Sequence, residues 1–234
     1  MNVQTDTKES IDWCRQRGLL ESGLADVVAT NRLVYASQHL LSSHHKARGF
    51  VMLRHPVQQI MEHFAYLRFA TTWESDGEYA KELATTMSLF NYSRSDQMPE
   101  NQQVRTLLGL SSETTLTLHH VETAKHILRR KFVVGIYEWF DVSIVRYEKY
   151  FGWWDRMNVL RNESVNNCHY NVIERRKGSG GGDKDADNNN NRFHKRETTT
   201  ASANTYSILL SRNWADVELY HAAKTLFAEQ AKLI

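Results

Sequence analysis

Apolar positions along the chain change rhythm at one point in its first quarter. Phe50 to Leu53 is an unbroken apolar run and reads as a short buried strand. Beyond Arg54-His55-Pro56, residues Val57, Ile60, Met61, Phe64 and Leu67 recur on one face of a 3.6-residue helix. Pro56 suits the first turn of that helix, where its missing N–H loses no hydrogen bond. The order repeats further on: His119 to Arg130 reads as a helix with basic residues at its end, Phe132 to Ile136 as a second apolar strand, and Trp139 to Phe151 as a helix closed by Gly152. Strand, helix and strand in that order predict parallel pairing and an α/β class.

The remaining segments are less regular. In residues 8–41, Ile11, Trp13, Leu19, Leu20, Leu24, Val27 and Val28 predict helix, and Leu33 to Ala36 a short strand. Tyr79 to Phe90 and Asn101 to Leu110 read as helices separated at Pro99. From Ile208 a helical pattern resumes, anchored by Val217, Leu219, Tyr220, Leu226 and Phe227, which gives a helix-rich C-terminal half. Residues 171–204, with KGSGGGDKDADNNNN and RETTTASAN, offer no apolar face to offset the entropy of ordering and read as a disordered low-complexity insertion in a single domain spanning 1–234. GSGGGDK lacks the preceding strand and following helix that a phosphate loop requires, so a flexible linker is the reading there.

Composition narrows the function classes only slightly. A chain of 234 residues with 41% hydrophobic and 24% charged residues is ordinary for one globular domain, and a formal charge of +2 gives no field suited to nucleic acid. Any anionic partner must be held by a local cluster. Cys14 and Cys168 allow at most one internal disulfide and have no metal-ligand spacing. No stretch reaches the roughly 20 apolar residues of a membrane span, and the N-terminus lacks the form of a signal peptide. Asn91-Tyr-Ser93 and Asn162-Glu-Ser164 are glycosylation sequons in a chain rich enough in Asn, Ser and Thr for chance to supply such a pair.

Arg54 is the first candidate for chemistry. It sits at the carboxyl end of a strand and beside a helix N-terminus, where exposed N–H groups and the helix dipole favour an anion. The alternative is a solvated or salt-bridged arginine, and the stretch alone leaves both open.

Four segments in order widen the picture: Leu53-Arg54-His55-Pro56-Val57 with Leu67-Arg68-Phe69-Ala70 behind it, Asn101-x-x-x-Arg105, Phe132-Val-Val-Gly135-Ile-Tyr-Glu138, and Asp216-x-x-Leu219-Tyr220-x-x-Ala-x-x-x-Phe227. This order resembles the Golgi carbohydrate sulfotransferases, particularly those acting on heparan sulfate and related glycans, over residues 39 to 230 apart from the insertion. The resemblance implies a P-loop-NTPase-like parallel sheet flanked by helices. It also implies transfer of a sulfuryl group from 3′-phosphoadenosine 5′-phosphosulfate, with no metal, to a hydroxyl of a glycan acceptor. By the same resemblance Arg54 binds the 3′-phosphate, Arg105 supports nucleotide or acceptor or else forms a salt bridge on its helix, and His39, near the carboxyl ends of the strands, is the base that takes the hydroxyl proton, with His44 and His45 as competitors. Gly135 and Glu138 shape the turn after the second strand. Residence in the Golgi lumen, with a membrane anchor outside this chain, belongs to the same expectation.

The departures are equally specific. The cofactor-site position that carries serine in the family is Glu62, whose carboxylate would repel a phosphate. Gln59 stands for the usual arginine and Tyr137 for the usual threonine, and no lysine-plus-hydroxyl phosphate loop follows an early strand. Three explanations fit that gap: an N-terminally incomplete enzyme, a diverged member that no longer catalyses, or an inactive glycan-binding or interaction domain on the same scaffold. The abrupt polar start favours the first.

Overall fold

The computed structural model describes residues 5–23, 25, 27–44, 46–69, 86–153 and 201–233. The elements run α1 (Lys8–Gln16), α2 (Leu33–His39), β1 (Gly49–Leu53), α3 (Pro56–Phe69), α4 (Leu89–Arg94), α5 (Gln102–Leu108), α6 (Leu118–Lys131), β2 (Phe132–Ile136), a 3-10 turn (Tyr137–Trp139), α7 (Phe140–Phe151), α8 (Ala203–Arg212) and α9 (Trp214–Gln230), with a last 3-10 turn at Ala231–Leu233. Both strands form where unbroken apolar runs occur. They pair in parallel from Gly49 opposite Phe132 to Leu53 opposite Ile136. The fold is a mixed α/β arrangement whose sheet, among the described residues, has two strands.

β1 has only Leu53 fully buried and Phe50 exposed, against the expectation of a buried strand, whereas β2 stays buried because side chains complete its edge. All five residues of β2 are buried. On its outer edge the Gln230 amide accepts from Val134 N at 2.9 Å and donates to Phe132 O at 2.8 Å, while Ser143 Oγ accepts from Ile136 N at 3.0 Å. These bonds satisfy backbone groups that a third strand would otherwise take. On the face of the sheet, Tyr147 Oη donates to Val51 O at 2.7 Å and lies so close to Gly135 that an added Cβ would fall 2.0 Å from it. Only glycine fits that position.

Three apolar clusters surround this centre. The largest joins the strands to α5, α6 and α9 through Leu53, Val104, Leu128, Val134, Leu219 and Phe227. A second unites α3, α4 and α8 through Val57, Phe64, Tyr92 and Leu209. The third packs α1 on α2 through Ile11, Cys14, Ala36 and Leu40. Among the described residues no helix is long and apolar enough to cross a membrane.

Two expectations are corrected. Leu33 to Ala36 is helical, because Ala36 and Leu40 lie one helical turn apart and bury together against Ile11 and Cys14 of α1, a contact that overrides the strand propensity of Val34 and Tyr35. Residues 201–204 belong to the ordered fold: Ser202 caps α8 by accepting from Thr205 N at 3.2 Å, and Leu209 of that helix is fully buried. Residues 171–200, most of the helix expected over Tyr79 to Phe90, and His45 lie outside the described residues.

Candidate functional site

The parallel register dictates what meets beyond the strands. With Leu53 opposite Ile136, the next residues face one another, Arg54 with Tyr137 and His55 with Glu138. The Arg54 guanidinium lies 4.1 Å from the centre of the Tyr137 ring, a cation–π contact. His55 N donates to Glu138 Oε1 at 3.2 Å, and the other oxygen of that carboxylate accepts from Tyr220 Oη at 2.9 Å. Glu138 thus ties the end of β1 to α9 and fixes the turn. Burial and this hydrogen bond both push the Tyr220 phenol above its ordinary value.

Arg54 sits where an anion would bind, and an anion from the chain itself is there. Both terminal nitrogens of its guanidinium donate to the two carboxylate oxygens of Glu62, two turns along α3. A carboxylate presents two oxygens to the guanidinium fork much as a phosphate does. Glu62 is expected to repel a phosphate on Arg54; in the structure its carboxylate pairs with the Arg54 guanidinium itself. Gln103 of α5 supports the same strand end, donating from Nε2 to Arg54 O and to Gln59 Oε1, each at 2.9 Å.

Arg105 is used otherwise. Its Nε donates to Glu100 O at 2.9 Å and one terminal nitrogen to Thr114 O at 3.0 Å and to Ser111 O, so it clamps the chain on either side of α5. Its partners are backbone carbonyls rather than the helix-face carboxylate expected of a salt bridge. His39 ends α2 and faces α1: its ring stacks on Tyr35 at 4.0 Å, with Asp12 Oδ1 at 3.7 Å and an Arg15 nitrogen at 3.5 Å. None of these partners comes from the strand ends. His44 is exposed.

Sequence reasoning missed the residues that join Arg54 in space. His55 is half-buried, with the Tyr220 ring edge-on at 5.4 Å and the Tyr206 ring nearly parallel at 6.4 Å. One turn beyond Tyr220, the Lys224 ammonium stands 5.9 Å from that ring and 5.3 Å from the Trp139 ring. Burial lowers the His55 imidazole below its ordinary value, the Glu138 carboxylate opposes this, and His221 and Lys224 add to it. The one signal available for these residues was their neighbourhood: His55 follows Arg54, and Tyr220 belongs to the last of the four segments.

Behind this edge two helix starts cap each other. Asn101 precedes α5 in the left-handed region (φ 52°), and its Oδ1 accepts from Ala215 N at 2.9 Å and Asp216 N at 3.2 Å in the first turn of α9. In return the Asp216 carboxylate accepts from Gln103 N at 2.9 Å and Val104 N at 2.8 Å in the first turn of α5. Asp216 is 2% exposed. Burial raises its carboxyl to about 6, although both amides and the Arg105 charge pull the other way. A cavity of about 140 Å³ lies against this junction, lined by Pro56, Gln59, Ile60, His63, Pro99, Gln102, Asn213 and Asp216, with room for a few waters but not for a nucleotide. Among the described residues no cluster of His, Cys, Asp and Glu could hold a metal ion. No protein-family model, curated protein or solved structure matches the chain.

Proposed function

We propose that this chain is a carbohydrate sulfotransferase of the P-loop-like α/β type, moving a sulfuryl group from 3′-phosphoadenosine 5′-phosphosulfate to a sugar hydroxyl, with Arg54 as the clamp on the 3′-phosphate. The observation that carries the reading is the interlocking of the four segments that gave the resemblance. Gln103, beside Asn101 in the second, holds the carbonyl of Arg54 in the first. Glu138 of the third holds His55 and Tyr220 of the first and fourth. Asn101 and Asp216 of the second and fourth exchange caps. Segments more than 100 residues apart in sequence converge on one strand end, which is where ligands collect in parallel α/β sheets.

The residues fit one charged end of the nucleotide. The guanidinium fork already grips a two-oxygen anion, and α3 begins beside it. Binding requires Glu62 to give way. Ahead of β1, no strand followed by a lysine-plus-hydroxyl loop lies among the described residues, and none of them is assigned to the 5′ end. Golgi residence and a glycan acceptor accompany the proposal.

The closed Arg54–Glu62 pair favours a second reading, a glycan-binding or interaction domain that keeps the scaffold and takes no nucleotide. Calorimetric titration with 3′-phosphoadenosine 5′-phosphate separates the two. The transfer reading expects saturable binding that Arg54→Ala weakens by about 2 to 4 kcal/mol, the usual loss when one partner of a desolvated charged hydrogen bond is removed. Absence of binding at millimolar nucleotide in both the wild type and Glu62→Ser refutes it and leaves the second.

A further inference from the structure

Four of the described histidines are half-buried: His39, His55, His63 and His120. Three have ring nitrogens within reach of a polar side chain, His39 against Asp12 and Arg15, His63 at 3.3 Å from Tyr92 Oη, and His120 at 3.1 Å from Thr117 Oγ1. His55 differs. Its ring is oriented by aromatic contacts on two sides and by the bond from its own backbone N–H to Glu138. Neither ring nitrogen has a hydrogen-bond partner among the described residues. A side chain whose orientation is fixed while its nitrogens stay available is arranged to exchange a proton with something that arrives from outside.

We propose that His55 is the proton acceptor of this site and that Tyr206 and Lys224 beside it seat an anionic sugar; the proposal rests on the transfer reading above. The sugar's hydroxyl oxygen bonds to sulfur as the bond from sulfur to the bridging phosphate oxygen breaks. That electron pair leaves on the nucleotide's 5′-phosphate, the hydroxyl proton passes to an imidazole nitrogen, and the imidazolium then releases it to water. The groups facing the ring are Glu138 from the turn, Tyr220, His221 and Lys224 from α9, and Tyr206 from α8. Burial first, and then the His221 and Lys224 charges, hold the imidazole below its ordinary value against the pull of Glu138, which favours the neutral form that can accept a proton. Beside it, Tyr206 and Trp139 are each 41% exposed and leave aromatic surface for the C–H side of a sugar, and Lys224 offers an exposed ammonium to a carboxylate or sulfate on it.

The test has two arms. In the first, 13C-labelled histidine is titrated by NMR in the nucleotide-free chain. The His55 ring is expected to protonate below the ordinary imidazole value of about 6.5, and lower still in Glu138→Gln. A midpoint at or above that value overturns the proposal. In the second, transfer to a uronate-containing tetrasaccharide is followed against pH. His55→Asn is expected to lower kcat by about 100-fold and to remove the acid limb of the profile, with the Kd for 3′-phosphoadenosine 5′-phosphate within about threefold. Lys224→Gln is expected to raise KM for the tetrasaccharide by about tenfold with kcat held, and His119→Asn, on the exposed face of α6, serves as the unchanged control. If the nucleotide binds but transfer survives His55→Asn, or is lost on His39→Asn instead, the assignment is overturned and the transfer reading stands. If the wild type binds nucleotide but transfers to no glycan, the proton role falls. Failure both to bind and to transfer overturns the transfer reading, and His55 with it.

Discussion

Replacing Glu62 with glutamine should lower stability and raise nucleotide affinity together, by related amounts. The Glu62 carboxylate and the Arg54 guanidinium form a two-pronged, charge-assisted pair, with side chains 30% and 18% exposed. A fully desolvated pair of this kind contributes about 1.5 to 3 kcal/mol. Discounted for solvent screening at this exposure, about 1 to 2 kcal/mol remains. Glutamine fills the same volume and can still accept one bond, so the folded chain should lose about that amount, a fall in Tm of about 2 to 8 °C for a chain of this size. A phosphate arriving at wild-type Arg54 must first displace the carboxylate and then bear its charge nearby. In Glu62→Gln the charge is gone and at most one weaker bond remains to displace, so affinity for 3′-phosphoadenosine 5′-phosphate should rise by about 5- to 30-fold. Calorimetry and thermal melts on the same samples give both numbers, and the gain in affinity should shrink as salt is raised. A lower Tm with unchanged or weaker nucleotide binding would mean that phosphate does not use this fork, and the competition argument would be wrong.

Two further outcomes follow from the scaffold. Gly135→Ala forces a methyl group against Tyr147 Oη and Ser143 Cβ, 2.0 and 3.0 Å from the ideal Cβ, and should destabilise the fold by about 3 kcal/mol. Because the tightest clash is with the hydroxyl, the penalty measured by urea denaturation should be smaller in a Tyr147→Phe background, and an equal penalty in both would rule out this cause. Asp216 gives a pH signature: its carboxyl is raised from 3.8 to about 6, so the folded chain holds that proton more tightly than the unfolded one. Its effect on stability is therefore most favourable below pH 4 and is lost as pH rises to about 6, an amplitude of about 3 kcal/mol. Denaturation curves of wild type and Asp216→Asn taken from pH 4 to 7 should differ by that slope, and parallel pH dependences would contradict it.

What could be read along the chain was what neighbours in sequence decide. The apolar runs located β1 and β2, the strand-helix-strand order gave their parallel sense, and Gly152 closes α7 at φ 66° as expected. Arg54 was correctly put at a strand end because Pro56 fixes the helix start after it. What could not be read depended on partners brought from far away. Gln230 completes the edge of β2 across 96 residues, and Asp216 caps α5 across 112, and neither pairing leaves a local pattern. Arg105 and His39 were given roles from the resemblance, whereas the carbonyls around α5 hold the first and the face of α1 the second. Glu62 shows the same limit. Its spacing from Arg54 was seen, and its charge was judged against an imagined phosphate rather than against the guanidinium it pairs with.

The reciprocal caps between α5 and α9 also bear on how much sequence the chain can carry between them. Asn101 and Asn213, 112 residues apart, are joined backbone to side chain, so the junction closes one long loop of the unfolded polypeptide. Closure entropy grows only with the logarithm of loop length. Removing the 30 residues of the polar stretch 171–200 from that loop would ease closure by about 0.3 kcal/mol. In closure entropy, then, the latch between α5 and α9 is nearly indifferent to the length of the sequence it spans.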